Sequence, residues 1–265
     1  MIERTEVDVP TPPGGWGAPW PDVAEIEAAF PHDRWTLVGG LMTQVHAAAH
    51  GITAVRPTDD VDIVLHVETT RGLPGAAASV LERLGYRLVE PIDPRERTAH
   101  RFRRDRRQVD VVTASPGATA DGVVDLLIAD HAAPSVVGRL RGRTMVAIDG
   151  GTQALRRTVL ATLRIARGAP TVLSTPSVLG ALVLKAAAFR ADSRDPGRHL
   201  QDAAVLLACL DDPFAAREQF AGSDRSRVLT LARHLPEDAA PWRLLGTETA
   251  GQGQAALRIL AAGLA

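Results

Sequence analysis

Cysteine occurs once in the 265 residues, at Cys209, and lysine once, at Lys185. A single thiol excludes internal disulfides and thiolate metal clusters. Its place in the run Val205-Leu206-Leu207-Ala208-Cys209-Leu210 reads as a buried apolar filler. Long apolar runs are also missing. None reaches the roughly 18 uninterrupted residues that a membrane span requires, and the amino terminus lacks a basic-then-apolar signal pattern, so a cytoplasmic protein without membrane partners is expected. The chain has almost no excess charge: at a net −1, affinity for nucleic acid has to come from a local patch. What is present is ordinary for a globular chain, with 45% hydrophobic and 23% charged residues and no internal repeat, which excludes general disorder and fibrous architectures. The length sustains a sizeable core in one large domain or two small ones. Arginine supplies nearly all of the 30 basic residues, so the one lysine calls for a chemical explanation.

Residues 1–22, rich in proline and glycine without apolar periodicity, read as an extended arm. A strand is expected at 35–38, a Gly39-Gly40 turn, a helix over 41–50, a loop at 56–59 and a buried strand at 61–65. An amphipathic helix over 76–84, a strand near 86–89 and a hairpin pairing 100–104 with 108–113 follow. Residues 123–128 read as a helical piece, and further strands are expected at 144–148, 159–165 and 172–173. Ser174-Thr175-Pro176 resembles a hydroxyl cap with a first-turn proline, opening a helix through Phe189. Segments 200–210, 214–220, 226–234 and 254–264 continue the helical pattern. The fold class is therefore α/β (α+β): an arm over 1–22, a mixed-sheet domain over 23–173 and a helical lobe over 174–265, with a cleft between the last two.

The chemistry concentrates in Gly39-Gly40, a helix-length gap, and Thr58-Asp59-Asp60-Val61-Asp62. Alternate side chains of a strand share a face, so Asp60 and Asp62 converge. Adjacent carboxylates are costly unless a cation lies between them, and hard oxygens suit magnesium or manganese. In a two-metal site the ions, roughly 3.5–4 Å apart, stabilise attacking and leaving oxygens of an in-line phosphoryl displacement. Gly39 and Gly40 would admit a triphosphate to the backbone amides at the start of the helix, with Thr58 beside them. Asp110, alone in the apolar strand Gln108-Val109-Asp110-Val111-Val112, is the expected third metal ligand or proton acceptor. Lys185, amid Leu, Val and Ala, is costly to bury unless paired or used; facing the cleft, its ammonium would hold the β and γ phosphates.

With its glycine turn, Asp-x-Asp strand, helical Lys185 after Pro176-Ser177 and later Asp202, the sequence resembles the AbiEii/MenT nucleotidyltransferases. That family has a DNA polymerase beta-like catalytic core and includes toxins of bacterial toxin–antitoxin systems. The resemblance spans roughly residues 34–210 and departs from some members in having Gly40 where they carry serine. It implies catalytic Asp60, Asp62, Lys185 and Asp202, a divalent metal, a nucleoside triphosphate donor and an antitoxin partner. It further implies nucleotide addition to the 3′ end of transfer RNA. Arg190, Arg194 and His199 are weaker phosphate candidates near the connection between the two helices.

For an RNA acceptor, the arginine-rich segment 95–107 offers Arg101, Arg103, Arg104, Arg106 and Arg107 as a track for a phosphate backbone; a solvated hairpin is the competing reading. A small-molecule nucleotidyltransferase of the antibiotic-modifying sort would keep the acids but need an acidic acceptor pocket. A protein that only binds nucleotide or a partner would not need the acids for its phenotype.

Overall fold

The computed structural model describes residues 4–90, 98–104, 122–133 and 137–264. It is a mixed α/β structure with a helical carboxy-terminal region, as expected. After β1 (Glu6–Val9) and α1 (Trp20–Ala29), β2 (Trp35–Val38) runs into α2 (Gly39–Ala49), then β3 (Asp60–Leu65), α3 (Leu73–Arg83), β4 (Arg87–Leu88) and β5 (Arg101–Arg104). These are followed by β6 (Gly122–Ala129), β7 (Val146–Ile148), α4 (Gly151–Leu155), β8 (Thr158–Leu163) and β9 (Thr171–Pro176). The rest is helical: α5 (Val178–Ala191), α6 (Gly197–Ala208), α7 (Pro213–Glu218), α8 (Asp224–His234), α9 (Ala240–Arg243) and α10 (Thr247–Ala261).

The main sheet has the order β2-β3-β6-β5-β4, with β7 also paired to β6. The pairs β3–β6 and β6–β7 are parallel and the others antiparallel. A smaller sheet, β1-β8-β9, lies beside β2. The segment read as an arm is thus part of the fold, because β1 pairs with β8 and buries Val9 while Trp20 opens α1.

Segment 123–128 is not helical: it forms most of β6, flanked by β3 and β5. A strand buried on both faces loses the two-residue alternation and reads as a continuous apolar run, which periodicity does not distinguish from buried helix. The expected cap at Ser174-Thr175-Pro176 also moves. Those residues end β9, where the Ser174 hydroxyl bonds Thr36 Oγ1 at 2.9 Å and Thr175 donates to Leu37 O at 3.1 Å, tying β9 to β2. The cap is Ser177, whose hydroxyl accepts the Gly180 N–H. Strand β5 is bonded to β4 and β6; its expected partner, 108–113, lies outside the described residues.

Alternation along β3 and β6 decides where the chemistry goes. Val61, Ile63, Leu65, Val124, Leu126 and Ile128 belong to one hydrophobic core, whereas Val64 and Leu127 join a second core with α5 and α6. The acids at positions 60, 62 and 125 share the face of Val64 and Leu127, so they lie toward the helical half.

Candidate active site

Asp62 of β3 is directly paired with Asp125 of β6, and Asp125 with Arg101 of β5, which sets an acid, an acid and a guanidinium in one row across three strands. Asp60 stands two residues before Asp62 on the same face. Arg101 grips buried Asp125 through Nε and Nη2, at 2.9 and 2.7 Å, and the same Nη2 reaches Asp60 Oδ2 at 3.4 Å. Burial foremost, then the charge of Asp125, pushes the Asp62 carboxyl up to about 7. Burial likewise raises Asp60, against the opposing charge of Arg101.

The glycine turn lies against these acids. Gly39 has φ +71°, and a Cβ there would stand 1.9 Å from Asp62 Oδ2, so both backbone and space require glycine. A Cβ on Gly40 would meet the Thr58 side chain at 2.9 Å, which places Thr58 over the turn. Helix α2 starts here with no side-chain cap and no acid in its first turn.

Opposite stands Lys185, on α5. Its ammonium donates to Asp202 Oδ2 at 2.6 Å and to Gly39 O at 2.8 Å. Asp202, on α6, also accepts from Nε and Nη2 of Arg56, at 3.0 and 3.1 Å. Lys185 and Asp202 are both buried; burial draws the lysine below its usual value while Asp202 opposes that shift. Between the sheet and α5 is a cavity of about 410 Å³ whose lining includes Gly39, Asp62, Asp149, Lys185, Arg198 and His199. At its rim Asp192 accepts from Arg198 and bonds His199 Nε2 at 3.0 Å. Backbone N–H groups of Arg194 and Asp195 hold the Asp192 carboxyl well below its usual range.

Of the residues singled out in the sequence, the fold gathers Asp60, Asp62, Gly39, Gly40, Thr58, Lys185, Asp202 and His199. Arg190 and Arg194 are exposed and are not part of this lining. Arg101 is exposed but is engaged in the acid row. Arg104 pairs with Asp22 and Glu25 at 2.8 and 2.7 Å and stacks over Tyr86, and Arg103 is exposed. Asp110, Arg106 and Arg107 lie outside the described residues.

Sequence reasoning missed Asp125, Arg56, Arg198 and Asp149. Asp125 carried the same signal as Asp110, one carboxylate in an apolar run, and was lost with the helical reading of its strand. Arg56 carried no local signal, since its partner is 146 residues away.

The donor set of carboxylate oxygens has the hardness that magnesium or manganese prefers. As the side chains stand, no three of the described His, Cys, Asp and Glu residues converge as a metal-holding group. The positive charge among Asp60 and Asp125 is the Arg101 guanidinium. Among the described residues no helix is long and apolar enough to cross a membrane. Neither a protein-family model, nor a curated protein, nor a solved structure matches the chain.

Proposed function

We propose that the chain is a metal-dependent nucleotidyltransferase that moves a nucleoside monophosphate from a nucleoside triphosphate to an acceptor hydroxyl. One observation supports this above the rest: Asp62 is in register with Asp125 and next to Asp60, across the Gly39 turn from a buried lysine. An acid pair that serves only as surface charge has no need of a glycine bend fitted to its oxygen or of an ammonium fixed 2.8 Å from that bend.

In this reading Asp60, Asp62 and Asp125 would hold the divalent ion, which when bound supplies neutralisation of the phosphates and orientation of the α-phosphorus. The uncapped amides at the start of α2 receive phosphate oxygens. Lys185 offsets charge on the departing pyrophosphate. Asp202 aims that ammonium, and Arg56 fixes Asp202. The acceptor oxygen bonds to the α-phosphorus, the bond to the bridging oxygen breaks, pyrophosphate leaves, and the hydroxyl proton passes to a carboxylate of the row.

The acceptor in this proposal is the 3′ end of transfer RNA, and the cellular role is that of a toxin with an antitoxin partner; both follow the AbiEii/MenT resemblance. The test is to incubate the full chain with magnesium, each α-labelled nucleoside triphosphate and deacylated transfer RNA. Label should enter the RNA with the natural protein and not with Asp62→Asn. Labelling of a small cationic acceptor instead would move the assignment to the small-molecule class. No labelling of any acceptor would end it.

A further inference from the structure

Besides the Nε bond to Asp125 Oδ1, Arg101 bridges Asp125 and Asp60 through one nitrogen that a bound ion would have to replace. Its Nη2 lies 2.7 Å from Asp125 Oδ2 and 3.4 Å from Asp60 Oδ2. An ion binding those two oxygens at about 2.0–2.1 Å would occupy the space of that nitrogen. Guanidinium and metal therefore compete for the same lone pairs. The two partners differ in freedom to move: the Arg101 side chain is 46% exposed and Asp125 only 8%. Arg101 can turn into solvent, where its charge is hydrated, whereas Asp125 cannot leave without taking β6 with it. Asp62, the third acid, faces the Gly39 turn.

We infer that Arg101 is a tethered cation that holds the acid row together in the metal-free protein and is displaced when a divalent ion binds. The metal site is then self-gated: the chain supplies its own competitor, and occupancy depends on the ion outbidding a bidentate, charge-assisted pair. The displaced guanidinium is left at the mouth of the site, next to where phosphates would lie. The inference rests on the metal-dependent reading above and adds to it a residue that opposes metal binding.

Calorimetric titration of Mn²⁺ into the full chain, without nucleotide, tests it. Arg101→Ala should bind Mn²⁺ at least about tenfold more tightly than the natural protein, because the ion no longer displaces a charge-assisted pair. Arg101→Lys, a point charge without the two-armed fork, should fall between them, and it serves alone if Arg101→Ala does not fold by circular dichroism. Unchanged or weaker Mn²⁺ affinity in the variants, with binding in the natural protein still abolished by Asp62→Ala, would overturn the tethered-cation role and leave the metal reading intact. Absence of Mn²⁺ binding in all of these proteins would overturn both.

Discussion

Arg56 holds Asp202 through Nε and Nη2, at 3.0 and 3.1 Å, across 146 residues of sequence, while Asp202 holds Lys185 at 2.6 Å. The loop before β3 is thereby tied to the two helices that face it. Removing the shared acid strands two cations, one of them buried, whereas removing the lysine leaves Asp202 paired with Arg56. Asp202→Ala should therefore destabilise the protein by roughly 3–5 kcal/mol in urea titrations, and Lys185→Met by clearly less. Nucleotidyl transfer should fall in both, by about a hundredfold or more for Lys185→Met. Equal stability losses would show that Arg56 is not a real partner.

Stability should also report on His46. This side chain is buried on α2 and its Nε2 donates to Pro176 O at 2.8 Å, joining the helix to the end of β9. Burial foremost, aided by the charge of His50 and opposed by the bond to Pro176, lowers its pKa to about 4 from 6.5. The unfolded chain thus takes up a proton that the folded imidazole refuses. The contribution of neutral His46 is complete above about pH 6.5 and is lost as the pH falls through about 4. Thermal melts of the natural protein should decline over that window, and His46→Gln should flatten this part of the curve. Superimposable pH profiles would contradict it.

Gly39 and Gly40 should differ in their tolerance of alanine. At Gly39 the methyl would meet Asp62 Oδ2 at 1.9 Å on a residue with φ +71°; at Gly40 it would press on the Thr58 side chain at 2.9 Å. The left-handed backbone alone costs roughly 1–2 kcal/mol with a β-carbon. Gly39→Ala should abolish Mn²⁺ and triphosphate binding by displacing Asp62, while Gly40→Ala should weaken triphosphate binding with Mn²⁺ affinity retained. Binding assays with each ligand separate the two.

Arg104 belongs to the packing of the amino-terminal region, through Asp22, Glu25 and the ring of Tyr86. Asp22 is 2% exposed, so Arg104→Gln should cost about 3 kcal/mol of stability. It should leave the salt dependence of RNA binding as it was, because a group already engaged inside the protein neutralises no phosphate. A shallower salt slope in the variant would return Arg104 to the RNA-facing set.

The sequence made the site half-legible for a physical reason. Asp60, Asp62 and the Gly39 turn are close in sequence, and their relation follows from strand alternation and from the backbone freedom of glycine. Lys185 was conspicuous because a lone cation in an apolar helix is costly. Asp125 and Arg101 acquire their meaning only from the lateral order of β3, β6 and β5, which no local pattern encodes. The continuous apolar character of β6 then concealed even its strand identity. The same holds for Ser174 and Thr175: as a dipeptide before proline they resemble a helix cap, but their hydroxyls are used between strands, and Ser177 does the capping.

Anomalous diffraction would locate a divalent ion seated by the acids of β3 and β6 opposite Lys185. Crystals of the full chain would be grown with Mn²⁺ and a non-hydrolysable nucleoside triphosphate. An anomalous peak is expected within coordination distance of Asp60 or Asp125 and of Asp62, with a phosphate oxygen on the Lys185 ammonium. A triphosphate bound away from Gly39 and Lys185, with no manganese on these carboxylates, would contradict it.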